Sequence, residues 1–197
     1  MASCKIVFAG PIGSGKTTAI AALSDVPPVT TEVASADALA AGKTTTTVAF
    51  DWGQIVLDGG EVVQLLGTPG QRRFDFIWPI IAAEAIGAVI LADNRRDDTL
   101  ARTVEYVAEF MPRVAAGNCV VGVGRCEPDA GAAPALDDYA DALAQAGLAV
   151  PVLAVDVRRR EHVLLLLDVL LAQLEAARRL DEAGLGTCGC AGAPAAG

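Results

Sequence analysis

The stretch Gly10-Pro11-Ile12-Gly13-Ser14-Gly15-Lys16-Thr17 limits what this chain can fold into more than any other. It fits the spacing G-x-x-x-x-G-K-[ST]; an apolar run from Cys4 to Ala9 leads into it, and a helix-prone run from Thr17 to Leu23 leaves it. Strand, glycine loop and helix in that order make a cradle for a polyphosphate, because glycines let backbone amides turn inward and the helix presents its positive end. In such a cradle Lys16 reaches the β and γ phosphates of a nucleoside triphosphate, and the Thr17 hydroxyl ligates Mg²⁺. Gly10, Gly13, Ser14, Gly15, Lys16, Thr17 and the following Thr18 are therefore the candidate nucleotide-binding set. Lys16 is also a candidate catalytic residue, through charge neutralisation, and Thr17 a candidate metal ligand.

A loop of this kind is carried by a parallel sheet, and the rest of the chain has the pattern for one. Strand-like runs at Gly87 to Ala92, Val120 to Val123 and Pro151 to Val155 alternate with helix-like runs at Ile77 to Glu84, Asp98 to Arg113, Leu136 to Ala146 and Glu161 to Leu180. Leu100, Val104, Val107 and Met111 recur at helical spacing, as do Leu164, Leu167, Leu171 and Leu174, and each set is expected to lie on the sheet. Aromatic residues are only 5% of the chain, which suits a sheet between helices better than an aromatic-rich sandwich. The expected fold class is α/β, with about six mainly parallel strands and helices on both faces.

Between the first helix and the later alternation the pattern changes. Ser24 to Lys43 has no sustained period and reads as a functional loop, running into four consecutive threonines, Thr44 to Thr47. Val48 to Leu57 and Glu61 to Leu66 flank Asp58-Gly59-Gly60, a hairpin signal. After Leu180 the chain is rich in Gly and Ala and cannot bury enough apolar surface to offset its ordering entropy. The expected organisation is one domain over residues 1–180 and a disordered tail over residues 181–197.

Gly67-Thr68-Pro69-Gly70-Gln71 follows the second hairpin strand directly. With the glycine loop and the run from Lys43 to Gly53, it resembles the small Ras-like GTPases, and among them the bacterial group of gliding-motility switch proteins and actinobacterial conservon GTPases, over roughly Lys5 to Leu180. The resemblance implies a P-loop NTPase fold of the small-GTPase type, GTP and GDP as ligands and Mg²⁺ as cofactor. By the same match Gly70 senses the γ phosphate, Gln71 is a catalytic residue that orients the attacking water, and Thr46, with Thr47 beside it, closes onto Mg²⁺.

Three positions depart from the group's wider pattern. Gly67 stands where many relatives carry an aspartate that holds a water of the Mg²⁺ shell, and Ile12 stands where a side chain commonly slows hydrolysis. Gly124-Arg125-Cys126-Glu127 stands in place of the base-reading N-K-x-D element. Glu127 still offers paired acceptors to the N1 and N2 groups of guanine, and Arg125 a planar head to lie over the ring. Asp156, in Val155-Asp156-Val157-Arg158, matches the last base-proximal loop by position. The expected function is Mg²⁺-dependent GTP binding with slow hydrolysis, used as a signalling switch. The alternative is a scaffold that holds GTP or ATP without useful turnover; a small-molecule kinase would need an arginine-rich lid that the sequence lacks.

Phe74, Phe76 and Trp78 follow Gln71 closely and serve either as a partner-reading surface or as a cover over the sheet. The resemblance implies a roadblock-type regulatory protein as partner, with a histidine-kinase-like component in some settings, and peripheral membrane association through those partners. A formal charge of −9 without a Lys/Arg stripe argues against nucleic acid. Five cysteines, with Cys4 and Cys119 in apolar runs, fit a reducing cytoplasm. The apolar run before Gly10 is too short for a signal peptide, and no stretch is long enough to cross a membrane. His162 is expected at a solvated helix position; Cys188 and Cys190 sit in the tail.

Overall fold

In the computed structural model, which describes residues 4–34, 47–126 and 133–183, seven strands form one sheet in the order β2-β3-β4-β1-β5-β6-β7. They are β1 Cys4–Ala9, β2 Val29–Ala34, β3 Thr47–Val56, β4 Val62–Gly67, β5 Gly87–Asp93, β6 Cys119–Gly124 and β7 Val152–Val155. From β4 through β1 to β7 every pairing is parallel, whereas β2 and β3 join antiparallel at one edge. The helices are α1 Lys16–Leu23, α2 Trp78–Ala82, α3 Thr99–Phe110, α4 Leu136–Gln145 and α5 Arg160–Glu182.

The central strands read as unbroken apolar runs because both faces are covered. Along β1, Ile6 and Phe8 pack with Ile20, Leu23, Leu166 and Leu170, the face that α1 and α5 cover. Val7 and Ala9 point to the opposite face, where Trp78, Tyr106, Phe110, Tyr139 and Leu143 from α2, α3 and α4 close the second core. The α/β expectation, with a mostly parallel sheet and helices on both faces, holds.

The sheet has one strand more than the six expected. β2 lies inside the stretch read as loop, paired with β3 from Val29↔Trp52 to Ala34↔Thr47. Val29, Thr30, Thr31 and Val33 are β-prone, but they follow Pro27-Pro28 in a stretch with no sustained apolar alternation, and the pairing with β3 that makes a strand of them is non-local. The hairpin at Asp58-Gly59-Gly60 forms as read, with Leu57 N–H donating to Glu61 O at 2.9 Å.

The leucine stripe of α5 is rotated from the expected one: Val163, Leu166, Leu167 and Leu170 are buried, while Leu164 and Leu171 are exposed. A run with leucine on nearly every side leaves the choice of face to packing rather than to period. On α3 the buried face is centred on Thr99, Thr103, Tyr106, Val107 and Phe110, with Leu100, Val104 and Met111 packed at its border. The helix expected over Ile77 to Glu84 forms as the short α2, preceded by a 3-10 turn at Arg72–Ile77.

Cys119 is a buried free thiol pushed up to about 12 by burial, but Cys4 is exposed at the start of β1 rather than packed. α5 runs on to Glu182, past the expected boundary at residue 180; the rest of the expected tail, with Cys188 and Cys190, lies outside the described residues. Among the described residues no helix is long and apolar enough to cross a membrane.

Because the five strands from β4 to β7 in the sheet order pair in parallel, their carboxyl ends open on one edge of the sheet. Gly10 follows β1, Thr68 to Gly70 follow β4, Asp93 ends β5, Arg125 follows β6 and Asp156 follows β7. That edge is where such sheets hold ligands.

Candidate functional site

Gly10, Gly13 and Gly15 all have positive φ, which turns the loop between β1 and α1 back on itself. At Gly15 a Cβ would come within 2.7 Å of Val157 Cγ2, so the loop is packed directly against the segment after β7. Lys16 is buried and its Nζ donates to the carbonyls of Gly10 at 2.7 Å and Pro11 at 2.8 Å. Burial lowers its pKa to about 8, against the opposing pull of the Asp51 carboxylate. A polyphosphate is the natural counter-charge for such an ammonium. The Ser14 and Thr68 hydroxyls are buried with no hydrogen-bond partner among the described residues.

Asp51 is a site residue that sequence reasoning missed. The Thr17 hydroxyl donates to its Oδ2 at 2.5 Å. It stands on β3 directly opposite Gly67 on β4. A Cβ at residue 67 would lie 3.1 Å from Asp51 Cβ, 3.3 Å from its Oδ2 and 2.9 Å from Ile20 Cδ1. Asp51, on the neighbouring strand, thus stands in the room that an aspartate side chain at residue 67 would need. Thr17 and Asp51 together place a hydroxyl and a carboxylate beside the phosphate loop, a hard oxygen pair that fits Mg²⁺. Counting equal numbers of residues back from the Asp58-Gly59-Gly60 turn brings Asp51 opposite Gly67, so the signal was present in the sequence.

Gly70 packs against the phosphate loop: a Cβ there would lie 2.6 Å from the Ile12 amide nitrogen. Ile12 is 59% exposed at this junction, and Gln71 is exposed on extended backbone at the start of the 3-10 turn. The aromatic trio divides. Phe74 and Trp78 are buried, with the Trp78 ring 5.1 Å from Tyr106 and 5.4 Å from Phe110, and so cover the sheet; Phe76 is 47% exposed. Thr46 and Glu127 lie outside the described residues, and Thr47 is described only as the first residue of β3.

Beyond the loop opens a cavity of about 540 Å³ lined by Ser14, Gly15 and Thr18 on one side, Arg95, Arg125 and Cys126 on another, and Asp156 to Arg158 with His162 on a third. Its size suits a nucleoside. Arg125 adopts the left-handed region at φ 59 and reaches back so that Nη1 donates to Gly13 O at 3.0 Å and to Asp93 Oδ2. Asp156 is engaged by Arg158 through two side-chain bonds of 2.8 and 2.7 Å, which hold its carboxyl well below the usual range. His162 is half-buried rather than solvated: its Nδ1 accepts the Asp156 backbone N–H at 3.0 Å, which places its ring proton on Nε2. The expectation failed because the histidine reaches back into a loop six residues earlier, a contact that its helix position does not reveal.

A protein-family model described as "Conserved hypothetical ATP binding protein" matches residues 8–118, more than half of the chain. No curated protein matches it.

Proposed function

Because the chain belongs to the family of conserved hypothetical ATP-binding proteins, we propose that it is a nucleotide-binding P-loop protein working as a Mg²⁺-dependent GTP switch with slow hydrolysis. The observation that carries this reading is the buried Lys16, held at the phosphate loop beside the Thr17–Asp51 pair and next to a nucleoside-sized cavity. Thr17 and Asp51 would hold Mg²⁺, Asp51 through the ion's water shell; when bound, the ion neutralises charge developing on the phosphates.

Guanine is favoured by the donors around the cavity. Arg95, Arg125 and Arg158 bring guanidinium groups to its wall, while Asp156, the carboxylate among its lining residues, is taken up by Arg158. Guanine presents the O6 and N7 acceptors that guanidinium groups match, whereas the exocyclic amine of adenine is itself a donor. Glu127 and Asp156 remain the proposed readers of the base edge, with Arg125 lying over the ring.

In the switch cycle Gly70 registers the γ phosphate, Gln71 orients water, and Thr46 closes on Mg²⁺. Ile12, exposed where Gly70 meets the loop, favours slow turnover. The exposed Phe76 and Ile80 offer a partner such as a roadblock-type regulator an apolar contact beside the switch. The nucleotide domain is proposed to end near residue 180, and the setting to be cytoplasmic.

A second reading, an ATP/GTP-unselective scaffold, draws on the family's description and on the departure from N-K-x-D at Arg125. Calorimetry with GTP, GDP and ATP in the presence of Mg²⁺ separates the two: at least a tenfold preference for guanine is expected, and equal affinities would leave the scaffold. Phosphate release in a single turnover, abolished by Gln71→Leu, is expected of the switch; no release with or without Gln71 would remove the hydrolytic claim.

A further inference from the structure

Asp93 ends β5 and Asn94 follows it; both are buried, at 8% and 5% exposure, and the functional reading above gives neither a role. Asp93 Oδ2 receives Arg125 Nη1, which also donates to the Gly13 carbonyl of the phosphate loop, and Asp93 Oδ1 receives the backbone N–H and Nε of Arg95. A non-glycine residue held at positive φ, as Arg125 is, persists only where its surroundings fix it. The two bonds at its guanidinium do so.

Asn94 works on the same stretch from the other side. Its backbone N–H donates to Gly124 O at 3.1 Å and its Nδ2 to Pro134 O at 3.2 Å, so it holds both flanks of the segment running from Arg125 toward α4. Its Oδ1 accepts from the Tyr139 hydroxyl at 2.8 Å; that hydroxyl in turn accepts from Thr99 at 2.8 Å, and the Thr103 hydroxyl donates to Thr99 O.

We propose that Asp93 and Asn94 form a positioning clamp for the base-facing wall of the cavity, Asp93 fixing Arg125 against the phosphate loop and Asn94 fixing the chain at Gly124 and Pro134. Both side chains spend their hydrogen-bonding capacity inside the protein, so they act on a ligand through the groups they hold. A network needed only to dock α4 on α3 would not reach Arg125 or tie it to Gly13. The Asp93 arm braces the base grip against the phosphate loop.

The inference rests on the reading of the cavity as a nucleoside site. The test compares binding of GTP with Mg²⁺ and of inorganic tripolyphosphate with Mg²⁺ to the full chain, the ratio of the two dissociation constants measuring the nucleoside's share. In Asp93→Asn the ratio is expected to fall about tenfold while tripolyphosphate affinity changes by less than about twofold. Adding Arg125→Gln should cost nothing further, because Asp93 acts through Arg125. Tyr139→Phe, which removes one hydroxyl, should lower the ratio less and tests the Asn94 arm should Asp93→Asn fail to fold. A ratio unchanged in Asp93→Asn, or a loss shared equally by both ligands and by the melting temperature, overturns the clamp. A wild-type ratio near one overturns the nucleoside-site reading and the clamp with it.

Discussion

At the phosphate end of the cavity, Gly10 to Thr17 bring most of the groups to the site from one loop, with Asp51 added from β3 and Gly70 from just after β4. At the base end each wall belongs to a different strand: Arg95 stands just after β5, Arg125 just after β6, and Asp156 and Arg158 after β7, with His162 reaching back from α5. The first end grips with backbone turned by glycines and one buried ammonium. The second grips with side chains whose positions depend on other side chains. A site made this way should hold phosphate firmly and be adjustable in the base it accepts.

The largest expected effect separates the two ends outright. Lys16→Ala should weaken GTP and tripolyphosphate alike by roughly a hundredfold or more, since it removes the buried cation of the cradle. The free protein should melt higher. Lys16 pays a desolvation cost that its pKa near 8 reports, and about 3 kcal/mol is the upper limit of what its removal returns. The sign follows from linkage: a lysine depressed in the folded state holds fewer protons there than in the unfolded chain between about pH 8 and 10.5, so wild-type stability rises with pH across that window. Lys16→Ala should lose that rise, and thermal melts from pH 7 to 10 check both statements.

Next in size is the acid at the phosphate end. Asp51→Asn should weaken the Mg²⁺ dependence of nucleotide binding about 10- to 100-fold, the usual cost of losing a partner in a metal's outer shell. If the cross-strand exchange is what Gly67 permits, Asp51→Gly combined with Gly67→Asp should recover part of that loss. Gly67→Asp alone, with Asp51 in place, should lower the melting temperature through the crowding at 3.1 Å. Recovery is read from Mg²⁺ titrations of fluorescent-nucleotide dissociation; a double variant no better than Asp51→Asn would disprove the exchange.

What could be read from the sequence follows the same division. The loop, its strand and its helix are contiguous, so spacing alone gave the order of strand, loop and helix around Gly10 to Thr17, and the hairpin turn placed β3 and β4. Asp51 required one more step, pairing those strands in register. Asp93 and Asn94 could not be read, because their partners lie at Arg125 and Pro134, across strands whose order no local pattern gives, while the reach of His162 into a loop six residues earlier does not show in its helix position. The strand at Val29–Ala34 and the buried face of α5 were missed for a similar reason: weak or all-round apolar patterns leave the decision to tertiary contacts.

A smaller effect probes how Lys16 meets its ligand. With its pKa near 8 in the free protein, the ammonium is intact at neutral pH and lost progressively above pH 8, while a bound triphosphate would keep it charged. Affinity should be flat in this respect below pH 8 and fall by up to about tenfold per unit above it, with one proton taken up on binding. The dependence belongs to the phosphate end, so tripolyphosphate should show it as fully as GTP. A dependence confined to GTP would move its origin to the base end.

The smallest effect is expected at the Asp156–Arg158 pair, and its smallness is informative. The geometry is bidentate, but Arg158 is 80% exposed on its side chain, and exposed pairs contribute little to stability. Arg158→Ala should therefore leave stability nearly unchanged and shift the GTP-to-ATP preference by no more than about fivefold. The direction is set by what the substitution releases: an Asp156 carboxylate freed from Arg158 offers two acceptors to the N1 and N2 donors of guanine, a pair that adenine lacks, so the shift should be toward GTP. Asp156→Asn removes one of those two acceptors and the charge, so the double variant should return the preference toward wild type. A change of a hundredfold from Arg158→Ala alone would mean that the base end is as firmly built as the phosphate end, and that the contrast between them is wrong.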